Sequence, residues 1–337
     1  MMRDNVLVIL AGGFSRRYQD KKNQFIDKAL LSISNVPILI DLIKKGFQFY
    51  DEVAVSVNSL DRMKKYVQIL KLEEKQPVKI IIDKEMTIVG ALRGIISAFK
   101  EYQSKNIQLL SVDRPFIDFN LLNKMTIQEN SVSLLQYDNG LLEPLLALYG
   151  SRFYFPKEIE QLQLSRADVL IRICPRVQLY NINSILETNQ LPSQIFTNIN
   201  IQSDLAIEKP LYDPTTLRLP KPKLIKRKDL QQIDFNLFVQ DSKEQIHKLM
   251  ENKHYYLAAL LSMYAKQNSI FSLEEFQSLV CIALENEYKY WLEQDMGFLA
   301  LHALQDQIVF CSQLEKKGKI KEILKLKEKM RIKSRNL

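Results

Sequence analysis

Four short apolar runs constrain this chain more than anything else in it: Val6–Ala11, Glu52–Asn58, Val78–Asp83 and Ile107–Asp113. Each is dominated by valine, isoleucine and leucine, and each stops at or just before Gly, Asn or Asp. Runs with little or no polar face suit strands covered on both sides. The stretches between them, Val36–Tyr50, Asp61–Leu72 and Val89–Tyr102, carry apolar residues at helical spacing. Strand and helix in alternation predict an α/β fold with a mostly parallel sheet. Ser131–Asp138, Leu145–Tyr149 and Val177–Ile182 are further strand candidates, and Asp118 is placed to cap a helix after it.

The pattern breaks near residue 210. Pro210, Pro214, Pro220 and Pro222 fall within thirteen residues, too many for a regular helix or a central strand, and the stretch reads as an extended linker. Beyond it no strand pattern returns. Ser242–Gln267, Ser272–Gln294 and Phe298–Leu324 are helical in spacing, and Ser272 with Glu275 makes a capping box. The organisation expected is therefore an α/β domain over 1–209, a linker over 210–222, and an all-α domain over 223–337.

Charge sharpens this picture. The net charge is +8, but residues 316–337 hold ten Lys/Arg against two Glu, and the 37 basic and 37 acidic residues elsewhere cancel. The chain is a neutral protein with a basic end, so nucleic acid is not an expected partner. No apolar run reaches the ~20 residues of a membrane span, and no signal-peptide pattern follows Met1. Cys174, Cys281 and Cys311 show neither metal spacing nor a disulfide framework, which makes a reducing cytoplasm the expected setting. His247, His254 and His302 have no metal-site partners in the sequence.

The chemistry starts at the end of the first strand. Leu10-Ala11-Gly12-Gly13-Phe14-Ser15-Arg16-Arg17 combines paired glycines, a hydroxyl and two guanidinium groups, which suits an anion: backbone N–H groups converge on it and arginine adds a planar donor fork. The spacing excludes the Gly-x-Gly-x-x-Gly and Gly-Lys-Ser/Thr motifs. Further on stand Asp27-Lys28-Ala29-Leu30-Leu31, Pro37, Asp83, Gly90-Ala91-Leu92-Arg93-Gly94, Asp113-Arg114-Pro115, Glu143-Pro144 and Asn198-Ile199-Asn200. As residues alone, Asp83 equally suits a turn, Asn58 a helix cap, and Asp113 a surface turn with Arg114.

In this order and at these distances, the motifs resemble the molybdenum cofactor guanylyltransferase family, over about residues 5–207. The resemblance implies a Rossmann-like nucleotidyltransferase domain that joins GTP, or CTP, to a molybdopterin-type acceptor with Mg²⁺ and releases pyrophosphate. It also implies roles. Gly12, Gly13 and Ser15 would cradle the triphosphate, with Arg17 and Lys28 at its charge, and Leu10 and Ala11 would also belong to the nucleotide-binding set. Asn58 and Asp83 would contact the nucleoside, Asp113 would hold Mg²⁺, and Asn198 and Asn200 would line the acceptor side.

Three departures from the family pattern stand out. Tyr18-Gln19 replaces an expected glycine, and about six extra residues precede Asp27-Lys28, so that Lys22 competes with Lys28 for the functional position. Glu143 places a carboxylate where a phosphorylated acceptor is expected. The C-terminal helices are an addition, expected to serve a protein partner or self-association. A nucleotide-binding interaction protein and a sugar-phosphate nucleotidyltransferase are the competing readings.

Overall fold

The computed structural model describes residues 5–13, 27–73, 77–153, 155–200, 204, 217–228, 235–310 and 318–328. Its centre is an eight-stranded sheet. β1 (Asn5–Leu10) leads, through a two-stranded ribbon of β2 (Ser32–Ile33) and β3 (Val36–Pro37), into helix α1 (Ile38–Gly46). β4 (Glu52–Val57), α2 (Leu60–Glu73), β5 (Lys79–Ile82), α3 (Ala91–Glu101) and β6 (Asn106–Ser111) complete the alternating part. Then follow α4 (Phe119–Lys124), β7 (Ser131–Gln136), β8 (Leu142–Tyr149), α5 (Asp168–Ile173), β9 (Arg176–Asn181) and α6 (Ile182–Asn189). The four strands expected from the apolar runs stand side by side and parallel in the order β5, β4, β1, β6. β8 is antiparallel to both β6 and β7, and β9 runs parallel to β7.

Successive residues of β1 serve opposite faces. Val6, Val8 and Leu10 enter one core with α3 and α5; Leu7 and Ile9 enter another with α1, α2, α4 and α6. Two covered faces are why these strands read as unbroken apolar runs. Asp118 caps α4 by accepting from the N–H groups of Asn120 and Leu121.

After the proline stretch the first element is a strand rather than a helix. β10 (Lys223–Lys226) pairs antiparallel with β9 and forms one edge of the sheet. It corrects the expectation that strands end before residue 210. The signal in Lys-Leu-Ile-Lys is weak because only Ile225 is buried, and edge strands tolerate the flanking prolines and exposed lysines that a central strand would not. Helices α7 (Phe235–Gln240), α8 (Ser242–Glu251), α9 (Tyr255–Gln267), α10 (Leu273–Glu293) and α11 (Gly297–Phe310) follow, with a last helix over 318–328. The helical run expected over Ser242–Gln267 is broken at Lys253, where φ is +65°, and the Ser272–Glu275 capping box opens α10. Cys174 is free and buried, whereas Cys281 is disulfide-bonded, contrary to the expectation of no disulfide. Among the described residues, no helix is long and apolar enough to cross a membrane.

The C-terminal helices share the core of α3 and α5; Trp291, Leu257 and Ala300 belong to the same apolar cluster as Val6 and Leu109. A buried ion network fastens them there. The Arg172 guanidinium, fully enclosed, donates from Nε and Nη2 to the two oxygens of Glu287, both at 2.6 Å, and from Nη1 to Asp306 at 2.7 Å. Its flat face lies 3.4 Å from the centre of the Tyr256 ring, and the Trp291 indole N–H donates to Glu287 at 3.0 Å. Burial opposes ionisation of Asp168, but His302 at 2.8 Å together with Arg172 and Arg166 outweighs it and holds the carboxyl down at about 2.

Two outcomes follow from this network. Arg172→Ala strands Glu287 as an unpaired buried charge and is expected to cost about 3–5 kcal/mol in urea unfolding, while Arg172→Met combined with Glu287→Leu costs far less than the two single changes together. Asp168 titrates lower folded than unfolded. Its contribution, about 2 kcal/mol, is present above pH ~4 and lost as pH falls toward ~2. Denaturation curves of Asp168→Asn should lack that part of the acid dependence.

Candidate functional site

The carboxyl ends of β1, β4, β5 and β6 point the same way and bring four loops together. Leu10-Ala11-Gly12-Gly13 leaves β1, Asn58 follows β4, Asp83 follows β5, and Ser111-Val112-Asp113 closes β6. With Lys28 and the first turn of α3 they line one cavity of about 550 Å³. β1 lies between β4 and β6, so the cavity opens where the chain's crossovers change direction, the place where open α/β sheets take ligands.

Gly12 is needed for close approach. A Cβ there would lie 3.2 Å from the Asn58 nitrogen and 3.6 Å from Asp83 Oδ2. Gly94, in the first turn of α3, is tighter still: its Cβ would come within 2.8 Å of Ser56 Oγ. The Ser56 hydroxyl donates to Asp83 Oδ1 at 2.9 Å. Burial pushes the Asp83 carboxyl above its ordinary value, with Ser56, Arg93 and Arg62 pulling the other way. The result is an enclosed carboxylate suited to accepting hydrogen bonds from a ligand.

Arg62, on α2, organises the loop behind this wall and was not among the residues expected from the sequence. Its guanidinium is buried and donates to the carbonyl oxygens of Ala11 at 3.0 Å and Gly13 at 3.2 Å, and to Asn58 Oδ1 at 3.1 Å. It also pairs with Asp27 at 3.5 Å, and the Tyr66 hydroxyl donates to the same carboxylate at 3.0 Å. Asp27 in turn caps the turn Lys28–Leu30. Asn58 is thus tied to Arg62, and the backbone N–H of Arg62 is taken by the Ser59 hydroxyl instead. An arginine four residues after Asn58 looks like an ordinary exposed helix position, which is why periodicity does not reveal it.

Asp113 accepts from the Ser111 hydroxyl at 2.6 Å. Its backbone carbonyl accepts from the Ile199 N–H at 2.8 Å, and the Ile199 carbonyl accepts from Lys28 Nζ at 2.5 Å. One residue, Ile199, therefore joins Lys28, Asp113 and the segment holding Asn198 and Asn200. The two asparagines are not on the cavity wall. Asn198 Oδ1 is buried and has no hydrogen-bond partner among the described residues, and the Asn200 N–H donates to Asp204 at 2.6 Å. Arg114 turns away from Asp113 and pairs with Glu143 at 2.5 Å, so the Glu143 carboxylate does not face the site uncompensated. Ser15, Arg16, Arg17 and Lys22 lie outside the described residues.

Asp113 and Asp83 offer hard oxygen donors at the cavity. No cluster of three His, Cys, Asp or Glu residues that could hold a metal occurs among the described residues. Mg²⁺ needs no such cage, since it binds through one or two carboxylates and keeps water and substrate phosphate oxygens. The donor set fits that ion.

Residues 7–176 match the family model of the MobA-like NTP transferase domain. The chain belongs to this family. Membership makes it an enzyme, a nucleotidyltransferase. A protein of Methanosarcina mazei named "probable molybdenum cofactor guanylyltransferase" is 24% identical over 204 residues, 59% of this chain and 87% of its own length. The molybdenum cofactor guanylyltransferase of Histophilus somni (strain 2336) is 24% identical over 209 residues, 61% of this chain and 96% of its own. Among solved structures, 4-diphosphocytidyl-2C-methyl-D-erythritolsynthase of Anaerococcus prevotii matches at a TM-score of 0.39 and 11% identity, over 60% of this chain and 93% of that one. The family model ends at residue 176, before the C-terminal helices.

Arg62→Ala is expected to free the glycine turn and leave Asp27 without its ionic partner. It should destabilise the enzyme by roughly 2–3 kcal/mol and weaken nucleotide binding measured by titration calorimetry, although Arg62 is not on the cavity wall.

Proposed function

We propose that this nucleotidyltransferase is Mg²⁺-dependent and joins GTP to a molybdopterin-type acceptor, releasing pyrophosphate, with CTP as the poorer donor. The observation that carries the reading is the convergence of the glycine turn, Lys28, Asp83 and Asp113 on one cavity at the carboxyl ends of the parallel strands. The names of the relatives supply the acceptor class.

The chemistry asks little of covalent catalysis. An acceptor phosphate oxygen attacks the α-phosphorus; the new P–O bond forms as the bond to the bridging oxygen breaks, and pyrophosphate carries away the electron pair. What the protein supplies is alignment and charge balance. In this reading the N–H groups around Gly12 and Gly13, with Ser15 and Arg17, receive the triphosphate. Lys28 meets the charge that builds on the departing phosphates. Asp113, steadied by Ser111, would hold Mg²⁺, which neutralises phosphate oxygens when bound. Leu10 and Ala11 form the floor beneath the nucleoside, with Asn58 beside it. Asp83 favours guanine over cytosine on hydrogen-bonding grounds, because a guanine edge offers a carboxylate two adjacent N–H donors and a cytosine edge one amino group. Asn198 and Asn200 lie on the acceptor side, and the carboxylate of Glu143 is balanced by Arg114 and need not repel a phosphate.

The test is pyrophosphate release from GTP or CTP with Mg²⁺ and molybdopterin. GTP should be used at least about tenfold better than CTP, and Asp113→Ala or Lys28→Ala should each lower turnover by roughly 10²–10³. Release from sugar 1-phosphates but not from molybdopterin would replace the acceptor. No release with any acceptor would leave the reaction unsupported.

A further inference from the structure

We infer that Arg114 and Glu143 form a positioning pair that seats the 196–200 segment against Lys28 and Asp113, and so sets the geometry of the acceptor side. The inference rests on the reading of that segment as the acceptor's. The pair itself is outside the cavity wall, so its effect must pass through the segment.

Arg114 follows Asp113 directly, yet it is only 2% exposed. One of its nitrogens donates to the Phe196 carbonyl at 2.6 Å and another pairs with Glu143 at 2.5 Å. Glu143 stands in β8, across the sheet from β1 beyond β6. Three separate stretches thus meet on one guanidinium: the loop after β6, the start of β8, and the segment after α6. Three residues beyond Phe196, Ile199 makes its two backbone bonds to Asp113 and Lys28. The segment is fixed at both ends of a four-residue span, and between them Asn198 Oδ1 is buried with no partner among the described residues. A buried acceptor held in place by its neighbours' backbone is ready for a donor from a ligand, but only while the span keeps its register.

The charges explain why both residues are needed. A buried guanidinium facing a carbonyl alone would carry an uncompensated charge next to Asp113, and Glu143 alone would be a partly buried anion near the phosphates. Together they are neutral and bidirectional: carbonyl on one side, carboxylate on the other. Burial first, then Glu143, pushes the neighbouring Tyr137 phenol above its ordinary range, so Tyr137 stays neutral beside the pair.

Two readouts test this on the full-length protein with Arg114→Met, Arg114→Lys and Glu143→Gln. The first needs no activity: hydrogen exchange of peptides covering 193–200. Arg114→Met should speed exchange there about tenfold, through loss of a charge-assisted anchor, and leave β1 peptides unchanged. Arg114→Lys, which keeps a cation for Glu143, should restore part of the protection, and Glu143→Gln should fall between. The second is kinetic. Arg114→Met should raise the acceptor KM about tenfold while the GTP Kd stays within about twofold of wild type. Unchanged exchange at 193–200 in Arg114→Met overturns the pair, as does a GTP Kd that moves in step with the acceptor KM. If exchange responds as stated but the wild type transfers to no acceptor, the pair stands and the assignment of the reaction falls.

Discussion

A guanidinium removed from water needs its charge balanced and most of its N–H groups met, and much of this molecule is arranged around that demand. Arg172 in α5 is given a carboxylate fork from α10, a second carboxylate from α11, and an aromatic face from α9. None of those partners lies in the part of the chain that resembles other nucleotidyltransferases. Arg227, just after β10, completes the arrangement by donating to the carbonyls of Ile171, Arg172 and Cys174, and its own flat group lies 5.3 Å from the Trp291 ring centre. Charge pairs of this kind add little net stability compared with well-packed apolar residues, but they reject every alternative docking that would leave a charge unmet. The apolar cluster supplies the adhesion, and the ion network supplies the register.

The same division of labour recurs at the candidate site. The cavity wall is made largely of short side chains and backbone, and two further cations stand behind it as struts: Arg62 under the glycine turn and Arg114 under the 196–200 segment. Both are buried and each is neutralised locally, by Asp27 and by Glu143. Lys28 and Arg93 stand on the wall itself, and Lys28 donates to the Ile199 carbonyl.

Much of this was legible in the sequence, and the reasons for the rest are physical. The parallel strands were visible because burial on two faces removes polar residues from them. The cavity-lining positions Gly12, Asn58, Asp83 and Asp113 were visible because each ends or follows an apolar run. Arg62 and Ser111 were not, since an arginine on a helix and a serine inside a strand are ordinary until the loop folds back on them. Glu143 read as a repulsive charge because its partner is 29 residues earlier and nothing local connects them. β10 was missed because one buried residue in four leaves no periodicity to find.

The position of the C-terminal helices also has a consequence for how the chain is made. The apolar cluster that holds Val6, Val8 and Leu109 against α3 and α5 is continued by residues that follow β10. During synthesis, α5 emerges long before the helices that pack on it. Until α10 and α11 have left the ribosome, Arg172 lacks Glu287 and Asp306. The ion network is therefore completed only by the last third of the chain.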